Sequence, residues 1–192
     1  MMSCEQTKGM TVLEHGTSVR NYLFDLLDHL RKKTPLKYEW KLPEWIIENS
    51  EFILSRLPDD KTLSLYTTYH DVGKPFCLEI DSDGKRHFPN HAEKSYEIFK
   101  QVFKNEIAAE LIRHDMDIHL LKADGVEEFC KNPLAIALLI AGLSEIHSNS
   151  TMFGGLNSTS FLIKKKAITQ RGKQILNTLK DGQHSFSLSN SL

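Results

Sequence analysis

The segment YHDVGKP, residues 69 to 75, places a histidine directly before an aspartate at the end of an apolar stretch. On an α-helix adjacent side chains point about 100° apart, so His70 and Asp71 would not pair on one helix face. They can converge on an object that lies in front of both of them. Because neutral imidazole and carboxylate are both metal ligands, the doublet predicts a metal site.

Other candidate ligands stand near the ends of helices that the sequence predicts. His15 lies early in the first helix, His91 begins one, His114 ends one, and Glu145 lies near the end of another. Helix ends are where a bundle can bring side chains from several segments together. The histidines at 29, 87 and 119 are instead expected to be surface residues.

This set of residues resembles the HD-domain metal-dependent phosphohydrolase superfamily. The resemblance rests on His15, on HDVGKP with a hairpin and FPNH after it, on IRHD, and on an acid near the end of the helix at 133–147. It covers roughly residues 11–150. The motif is most similar to the HD domains found beside tRNA nucleotidyltransferases.

The resemblance implies a set of metal ligands. The family usually reads ALAD where this chain reads AGLSE, so Glu145 would take the place of an aspartate, with Asp115 and His147 as rivals. His91 and His114 match further histidines that, in some branches of the family, hold a second metal or contact phosphate. The implied ligands are His15, His70, Asp71, His91, His114 and Glu145. They would bind one or two divalent ions, and Mn, Ni, Co, Fe, Zn or Mg would suit this mixed set.

A second resemblance concerns residues 144–166, SEIHSNSTMFGGLNSTSFLIKKK. This segment is similar to the HD end-healing modules of bacterial polynucleotide kinases, which remove phosphate from 2′ or 2′,3′-cyclic phosphate RNA ends. Its glycines would free the backbone to approach an anion, while hydroxyls and lysines would bind it. The predicted substrate-binding residues are Lys74, Ser148, Asn149, Gly154, Gly155, Ser158, Ser160 and Lys164. The alternative is a linker followed by a solvated basic helix.

The expected chemistry is hydrolysis of a phosphoester, because a divalent ion lowers the pKa of bound water and polarises a phosphoryl oxygen. Asp71 would act through the metal, and Lys74 would neutralise charge that builds on the phosphoryl group. Lys74 could equally be a cation that suits a helix C-terminus. His91 or His114 would protonate the leaving oxygen, or both would bind a second ion.

Three functions remain open from the sequence. The favoured one is a phosphohydrolase that acts on a nucleotide or RNA terminus, above all a 2′-phosphate or 2′,3′-cyclic phosphate end. The second is a nucleotidase or a cyclic (di)nucleotide phosphodiesterase that acts on small soluble nucleotides. The third is a non-catalytic HD module that senses a nucleotide or serves as a scaffold.

The hydrophobic pattern predicts an all-α fold, an HD-domain helical bundle with a small β-hairpin after the HD helix. Helices are expected at 11–33, 42–57, 61–73, 91–104, 105–113, 117–130 with a break near Gly125, and 133–147, with a further basic helix after residue 160. The hairpin is expected at 76–88, around Asp83-Gly84. The predicted divisions are a flexible leader at 1–10, the HD domain at 11–180 and a flexible tail at 181–192.

Composition sets the remaining expectations. The net charge is −1 over 192 residues, so no overall basic field points to nucleic acid, although one RNA terminus needs only a local basic patch. No apolar run is long enough to cross a bilayer, so no membrane partner is expected. Three scattered cysteines favour a reducing cytoplasm over a disulfide framework. No obligate protein partner is evident.

Overall fold

The structure is a computed structural model that describes residues 1–2, 4–7 and 9–189. It is built almost entirely of helices, which confirms the predicted all-α class. The helices are α1 (Val12–Lys32), α2 (Glu44–Glu48), α3 (Ser50–Leu54), α4 (Asp60–Tyr69), α5 (His91–Val102), α6 (Glu106–Arg113), α7 (Asp115–Leu120), α8 (Val126–Phe129), α9 (Ala135–Ser148) and α10 (Thr159–Ser189). Single-turn 3-10 helices lie at Lys74–Phe76, Ala123–Gly125 and Ser150–Phe153.

The four short strands form two antiparallel pairs. β1 (Glu5–Thr7) pairs with β2 (Met10–Thr11), and β3 (Glu79–Ile80) pairs with β4 (Arg86–His87). The β3–β4 hairpin follows the HD segment as the sequence predicts, and Gly84 at its turn has a φ of 74°, a conformation that glycine adopts without strain. The first pair lies within the predicted leader. The limits predicted for the leader and tail stay predictions, and residues 190–192 lie outside the described residues.

Helix α9 is the centre of the bundle, packed against α1, α7 and α10. Its sequence AIALLIAGLSEIHS is apolar on all sides, which is typical of a helix that is surrounded by others. All of its residues are buried except Glu145 and Ser148. Glu145 is therefore held on a helix that has almost no freedom to shift.

Helix α1 packs on both α9 and α4. A capping box begins it: the Thr11 hydroxyl accepts from the Glu14 N–H while the Glu14 carboxylate accepts from the Thr11 N–H. Val19, Leu23 and Leu26 lie on its buried face. Gly16 lies so close to α4 that an added Cβ would overlap the backbone carbonyl oxygen of Thr68. This close approach brings the neighbouring residue, His15, to the end of α4.

Two predicted helices are wrong in their extent. The segment 42–57 forms two short helices, α2 and α3, because Asn49 leaves helical geometry at φ −116° and ψ 20°. The segment 117–130 is broken, as predicted, but the break begins earlier, at Leu121, which is extended at φ −61° and ψ 122°, and includes the 3-10 turn Ala123–Gly125 before α8. In both segments the apolar residues keep a helical spacing throughout, but the backbone leaves helical geometry at one point and ends the helix there.

Helix α10 covers one side of the bundle with the buried residues Phe161, Ile168, Ile175 and Leu176. Gly172, a residue of low helix propensity, is where the Trp45 indole packs, and a Cβ would overlap that ring. The same indole donates through Nε1 to the Thr169 carbonyl at 3.0 Å. No helix in the described part of the chain is long and apolar enough to span a membrane.

Candidate metal centre

His70 and Asp71 lie in the turn that directly follows α4, where the helical pattern ends at Tyr69. His70 Nδ1 lies 2.9 Å from the Thr67 carbonyl oxygen. Because a carbonyl can only accept, Nδ1 carries the proton, and the lone pair of Nε2 is left to face the interior. This arrangement fixes the ring in the tautomer that a metal ligand requires.

His15 comes from α1 and meets His70 ring to ring. The two Nε2 atoms are 3.2 Å apart, and both side chains are almost fully buried. Two neutral imidazole nitrogens that both present lone pairs repel each other unless a cation or a proton lies between them. His15 Nδ1 is buried without a hydrogen-bond partner among the described residues, so no carbonyl holds that ring as one holds His70.

The Asp71 carboxylate closes one side of this pair. Its Oδ2 lies 3.4 Å from Nε2 of both His15 and His70, and its Oδ1 lies 3.5 Å from His91 Nε2. The Lys74 ammonium donates to Oδ2 at 2.7 Å and also to Gln6 Oε1 at 3.0 Å. His91 donates through Nδ1 to the Phe88 carbonyl, which turns its Nε2 towards Asp71. Gly73 allows this close packing, because a Cβ there would overlap the backbone of α5.

Glu145 closes the other side from α9. Its Oε1 lies 3.5 Å from His15 Nε2, and its Oε2 lies 2.8 Å from His119 Nε2. His15, His70 and Glu145 each offer one ligand atom, and these atoms all lie within 4.8 Å of one another. Glu145 is therefore close enough to the imidazole pair to bind the same ion, and its equivalence to the family's aspartate stays a prediction.

The donor set fits a divalent cation. Two imidazole lone pairs and two carboxylates converge in a buried space, and imidazole with carboxylate suits Mn, Fe, Co, Ni and Zn alike. In the absence of a metal, a proton on His70 Nε2, which its raised pKa favours, accounts for the close approach of the two Nε2 atoms, and a divalent cation could take the place of that proton. His15, His70, Asp71 and Glu145 are therefore the residues that could hold the ion, with His91 as a fifth neighbour through Asp71.

The electrostatics of the cluster favour positive charge. Burial disfavours the imidazolium of His70, but the carboxylates of Asp71, Asp115 and Glu145 outweigh burial and raise the pKa of His70 to about 10. Burial likewise opposes ionisation of Asp71, and His70 and Lys74 nevertheless lower its pKa. A group of carboxylates that holds a proton on a buried imidazole is one in which a metal ion can replace that proton.

The structure brings in His119, which the sequence interpretation did not use as a ligand, and Asp115, which it named only as a rival to Glu145. His119 is exposed as a whole residue, as expected, but its side chain is only 22% exposed and its Nε2 bonds to Glu145. Asp115 is buried and accepts a hydrogen bond from the Tyr66 hydroxyl at 2.6 Å. Asp115, His119 and Glu145 form a second close group of possible ligands. The spacing Asp115-x-x-x-His119, which puts both on one helix face, was the available signal.

His114 is not brought to this cluster. Its Nδ1 bonds to Asp117 at 2.8 Å and its Nε2 lies 3.8 Å from Glu110, with 39% of the side chain exposed. It lines a separate surface depression next to α8. His147, a rival for the last ligand position, also points elsewhere: its Nε2 accepts from the Lys41 N–H, and its Nδ1 donates to the Leu143 carbonyl. Asp115, the other rival, lies beside Glu145 rather than in its place.

The residues expected to cradle phosphate are mostly engaged in local structure. The N–H groups of Gly154 and Gly155 donate to Thr151 and Ser150, so they are not available to an anion. The Ser158 hydroxyl accepts from the Phe161 N–H at the start of α10, and the Ser148 hydroxyl donates to Ser18. Ser158, Ser160 and the two glycines do not line the cavity beside the cluster, whereas Asn149 and Lys164 do. Both glycines have a positive φ, which allows the backbone to form this turn.

A cavity of about 330 Å³ opens onto the cluster. Its inner end is lined by Asp71, Lys74, His91, Asp115, His119 and Glu145. Its outer walls are largely apolar, with Phe153 and Ile168 among them, and α10 supplies one side. A small polar head could therefore reach the cluster while an apolar body stays between α7 and α10.

Comparison with known proteins gives one match. The family model described as HD domain matches residues 38–149. This segment contains His70, Asp71, His91 and Glu145, while His15 precedes it and α10 follows it. No curated protein and no solved structure matches the chain.

Proposed function

Because the chain belongs to the HD domain family, whose members are in general metal-dependent phosphohydrolases, we propose that it hydrolyses a phosphoester of a nucleotide or RNA terminus. The convergence of His15, His70, Asp71 and Glu145 at the end of a cavity is the observation that carries this proposal. The favoured substrate is a 2′-phosphate or 2′,3′-cyclic phosphate end, as the resemblance of residues 144–166 suggests.

The proposed roles follow from what each side chain contacts. A divalent ion bound by the four ligands would act as a Lewis acid and supply a nucleophile near neutral pH. Lys74 borders the cavity, holds Asp71 in position and places a positive charge where the phosphoryl group would gain negative charge. During hydrolysis water adds to phosphorus, the ester P–O bond breaks, and the leaving ribose oxygen takes a proton. His91 is the proposed donor, because it lines the cavity and its Nδ1 is already fixed by Phe88.

The cavity also keeps the nucleotidase alternative open, because its volume lies at the small end of the roughly 300–1,000 Å³ range of small-molecule sites. The three cysteines are free thiols, which suits the reducing cytoplasm that we propose as the compartment. The non-catalytic alternative predicts a folded, metal-free protein without hydrolytic activity.

The test compares wild-type protein, purified without chelators, with the double variant His70→Ala, Asp71→Ala. We expect the wild type to contain a transition metal and to hydrolyse p-nitrophenyl phosphate or bis-p-nitrophenyl phosphate with added Mn²⁺. The variant, shown to be folded by circular dichroism, should lose both properties. Equal activity of the two proteins would refute the proposal, and an inactive metal-free wild type would favour the sensing module.

A second comparison addresses the substrate. An oligonucleotide with a 2′-phosphate end should be hydrolysed with a higher kcat/KM than free nucleoside monophosphates. Equal or better hydrolysis of the monophosphates would favour the nucleotidase alternative instead.

A further inference from the structure

One face of α10 forms part of the lining of the cavity that opens onto the metal centre. Lys164, Ala167, Ile168 and Arg171 all line the cavity, and their spacing of three, one and three residues places them on a single helical stripe. The stripe has a positive charge at each end, separated by roughly 10 Å along the helix. Between the charges lie one small and one apolar side chain. This wall lies outside the segment that matches the family model.

The two cations of this stripe are not neutralised by the protein. Neither Lys164 nor Arg171 forms an ion pair with a carboxylate among the described residues. Lys164 Nζ lies 5.1 Å from the centroid of the Phe153 ring, at the edge of the cavity. Charged groups that border a cavity without a partner are available to an anionic ligand.

Arg171 is already oriented by the protein. Its Nε donates to the Leu121 carbonyl at 3.2 Å, and its Nη1 donates to Gln174 Oε1 at 2.8 Å. Nη2 makes no hydrogen bond within the described part of the chain. A guanidinium that is fixed through two nitrogens and free at the third loses little side-chain entropy when it binds an oxyanion.

The cavity therefore offers three kinds of surface in one small volume. The metal centre and Lys74 suit one phosphate, the apolar wall with Phe153 and Ile168 suits a nucleobase or sugar, and Arg171 suits a second anion. The volume of about 330 Å³ suits one nucleotide unit rather than a length of strand. An internal nucleotide of RNA, or the last one at a phosphorylated end, has phosphates on both sides of its sugar.

We propose that Arg171, assisted by Lys164, binds the second phosphate of a nucleotide unit that carries phosphates on both sides of its sugar. This inference rests on the proposed phosphohydrolase function and names the substrate class of the same site. Because both cations lie on α10, this helix would give a bisphosphorylated unit, such as an RNA end, a higher affinity than a simple nucleoside monophosphate.

The test uses the Mn²⁺-loaded full-length protein with adenosine 2′-phosphate and adenosine 2′,5′-bisphosphate. We expect a kcat/KM that is about tenfold higher for the bisphosphate, the size of effect that a charge-assisted hydrogen bond gives. Arg171→Met should abolish this preference, and Lys164→Met should reduce it. The control for basal activity is Lys173→Met, which lies outside the cavity and should leave hydrolysis of p-nitrophenyl phosphate unchanged.

Two control variants separate anion binding from structure. Arg171→Lys keeps the charge but not the fork of donors, and it should keep part of the preference. Lys173→Met removes a charge from the opposite face of α10, where Lys173 lines a different depression, and it should keep the full preference. Equal kcat/KM for the two nucleotides in wild type, or an equal effect of Lys173→Met and Arg171→Met, would overturn the inference.

Calorimetric binding of the two nucleotides keeps this test separate from that of the proposed function. If the wild type hydrolyses none of the three compounds but binds the bisphosphate about tenfold more tightly through Arg171, the anion site stands and the hydrolase function fails. If it hydrolyses p-nitrophenyl phosphate but neither binds nor hydrolyses the bisphosphate preferentially, the hydrolase function stands and the anion site fails.

Discussion

The proximity of His15 Nε2 and His70 Nε2, 3.2 Å apart in a buried space, is the most specific feature of the site. His70 Nδ1 is held by the Thr67 carbonyl, so the Nε2 atoms of the two rings face a shared region that a proton or a metal ion must occupy. Two carboxylates adjoin the same region. Such a group is stable in the folded protein when a cation occupies its centre.

Replacing either imidazole should therefore remove metal binding. His70→Ala is expected to weaken divalent metal affinity by more than the roughly 10–100-fold that loss of an outer hydrogen-bond partner causes. The matched control is His114→Ala, because the sequence interpretation names both residues as ligands and the structure places only His70 in the cluster. Titration calorimetry measures both. Equal metal loss in the two variants would contradict the geometry described here.

His119 is expected to position Glu145 rather than to react. His119→Ala removes the 2.8 Å bond to Oε2 and should lower metal affinity about 10–100-fold while the protein stays folded. His87→Ala is the control, because it breaks a His–Asp pair of the same length on the exposed β3–β4 hairpin. Metal affinity should not change in the control. An unchanged affinity in His119→Ala would mean that α9 alone holds Glu145.

The sequence predicts some of these residues better than others. His70 and Asp71 form a contiguous motif, so their common role can be inferred before any fold is known. His119 lies on α7 and His114 lies just before it, and the sequence contains no measure of which one faces α9. That difference depends on the break at Leu121 and on how α7 packs on α9, which are tertiary effects.

At the scale of elements, the site depends on how closely α1 approaches α4. Gly16→Ala would place a Cβ against the Thr68 carbonyl, so α1 must move away from α4 and take His15 with it. We expect a loss of about 1–3 kcal/mol in the free energy of unfolding, together with weaker metal binding. Urea denaturation and metal titration measure the two effects.

Gly182→Ala provides the matched control for this glycine substitution. Gly182 lies in α10 with nothing within 4 Å of an added Cβ. Alanine there should stabilise the helix by about 0.5–1 kcal/mol, since it is the better helix former. If both substitutions change the free energy of unfolding in the same direction, the close contact between Gly16 and α4 does not explain the effect of Gly16→Ala.

Element boundaries show where prediction from sequence stops. The apolar stripe of residues 42–57 is continuous, yet Asn49 breaks the helix and its side chain donates to the Trp45 carbonyl. The glycine-rich segment at 154–155 was interpreted as an anion cradle, but its N–H groups close a turn. The acceptor to which a backbone N–H donates depends on the surrounding fold, so it cannot be inferred from the residue pattern alone.

At the scale of the whole molecule, the centre joins segments that are distant along the chain. α1, the turn after α4 and α9 each contribute candidate ligands, so a bound ion would link the two helices that pack most centrally. Anything that binds the folded state and not the unfolded state stabilises the former by mass action. Metal binding should therefore be visible in global unfolding.

The expected stabilisation by bound metal can be measured as a change in Tm. At a free metal concentration of 100 times Kd the added stability is about 2.7 kcal/mol, or roughly 5–10 °C in Tm for a chain of this size. Chelation should reverse the shift in wild type, and His70→Ala should show no shift. A Tm that does not respond to Mn²⁺ in wild type would indicate that the ligands are not joined by an ion.

The central claim is that both imidazoles bind one ion, and pulsed electron paramagnetic resonance of the Mn²⁺-loaded protein tests it most directly. Nitrogen nuclei bound to Mn²⁺ modulate the spin echo. We predict coupling to two imidazole nitrogens in wild type and to one fewer in His15→Ala. A spectrum without nitrogen coupling, or one unchanged by His15→Ala, would contradict the account.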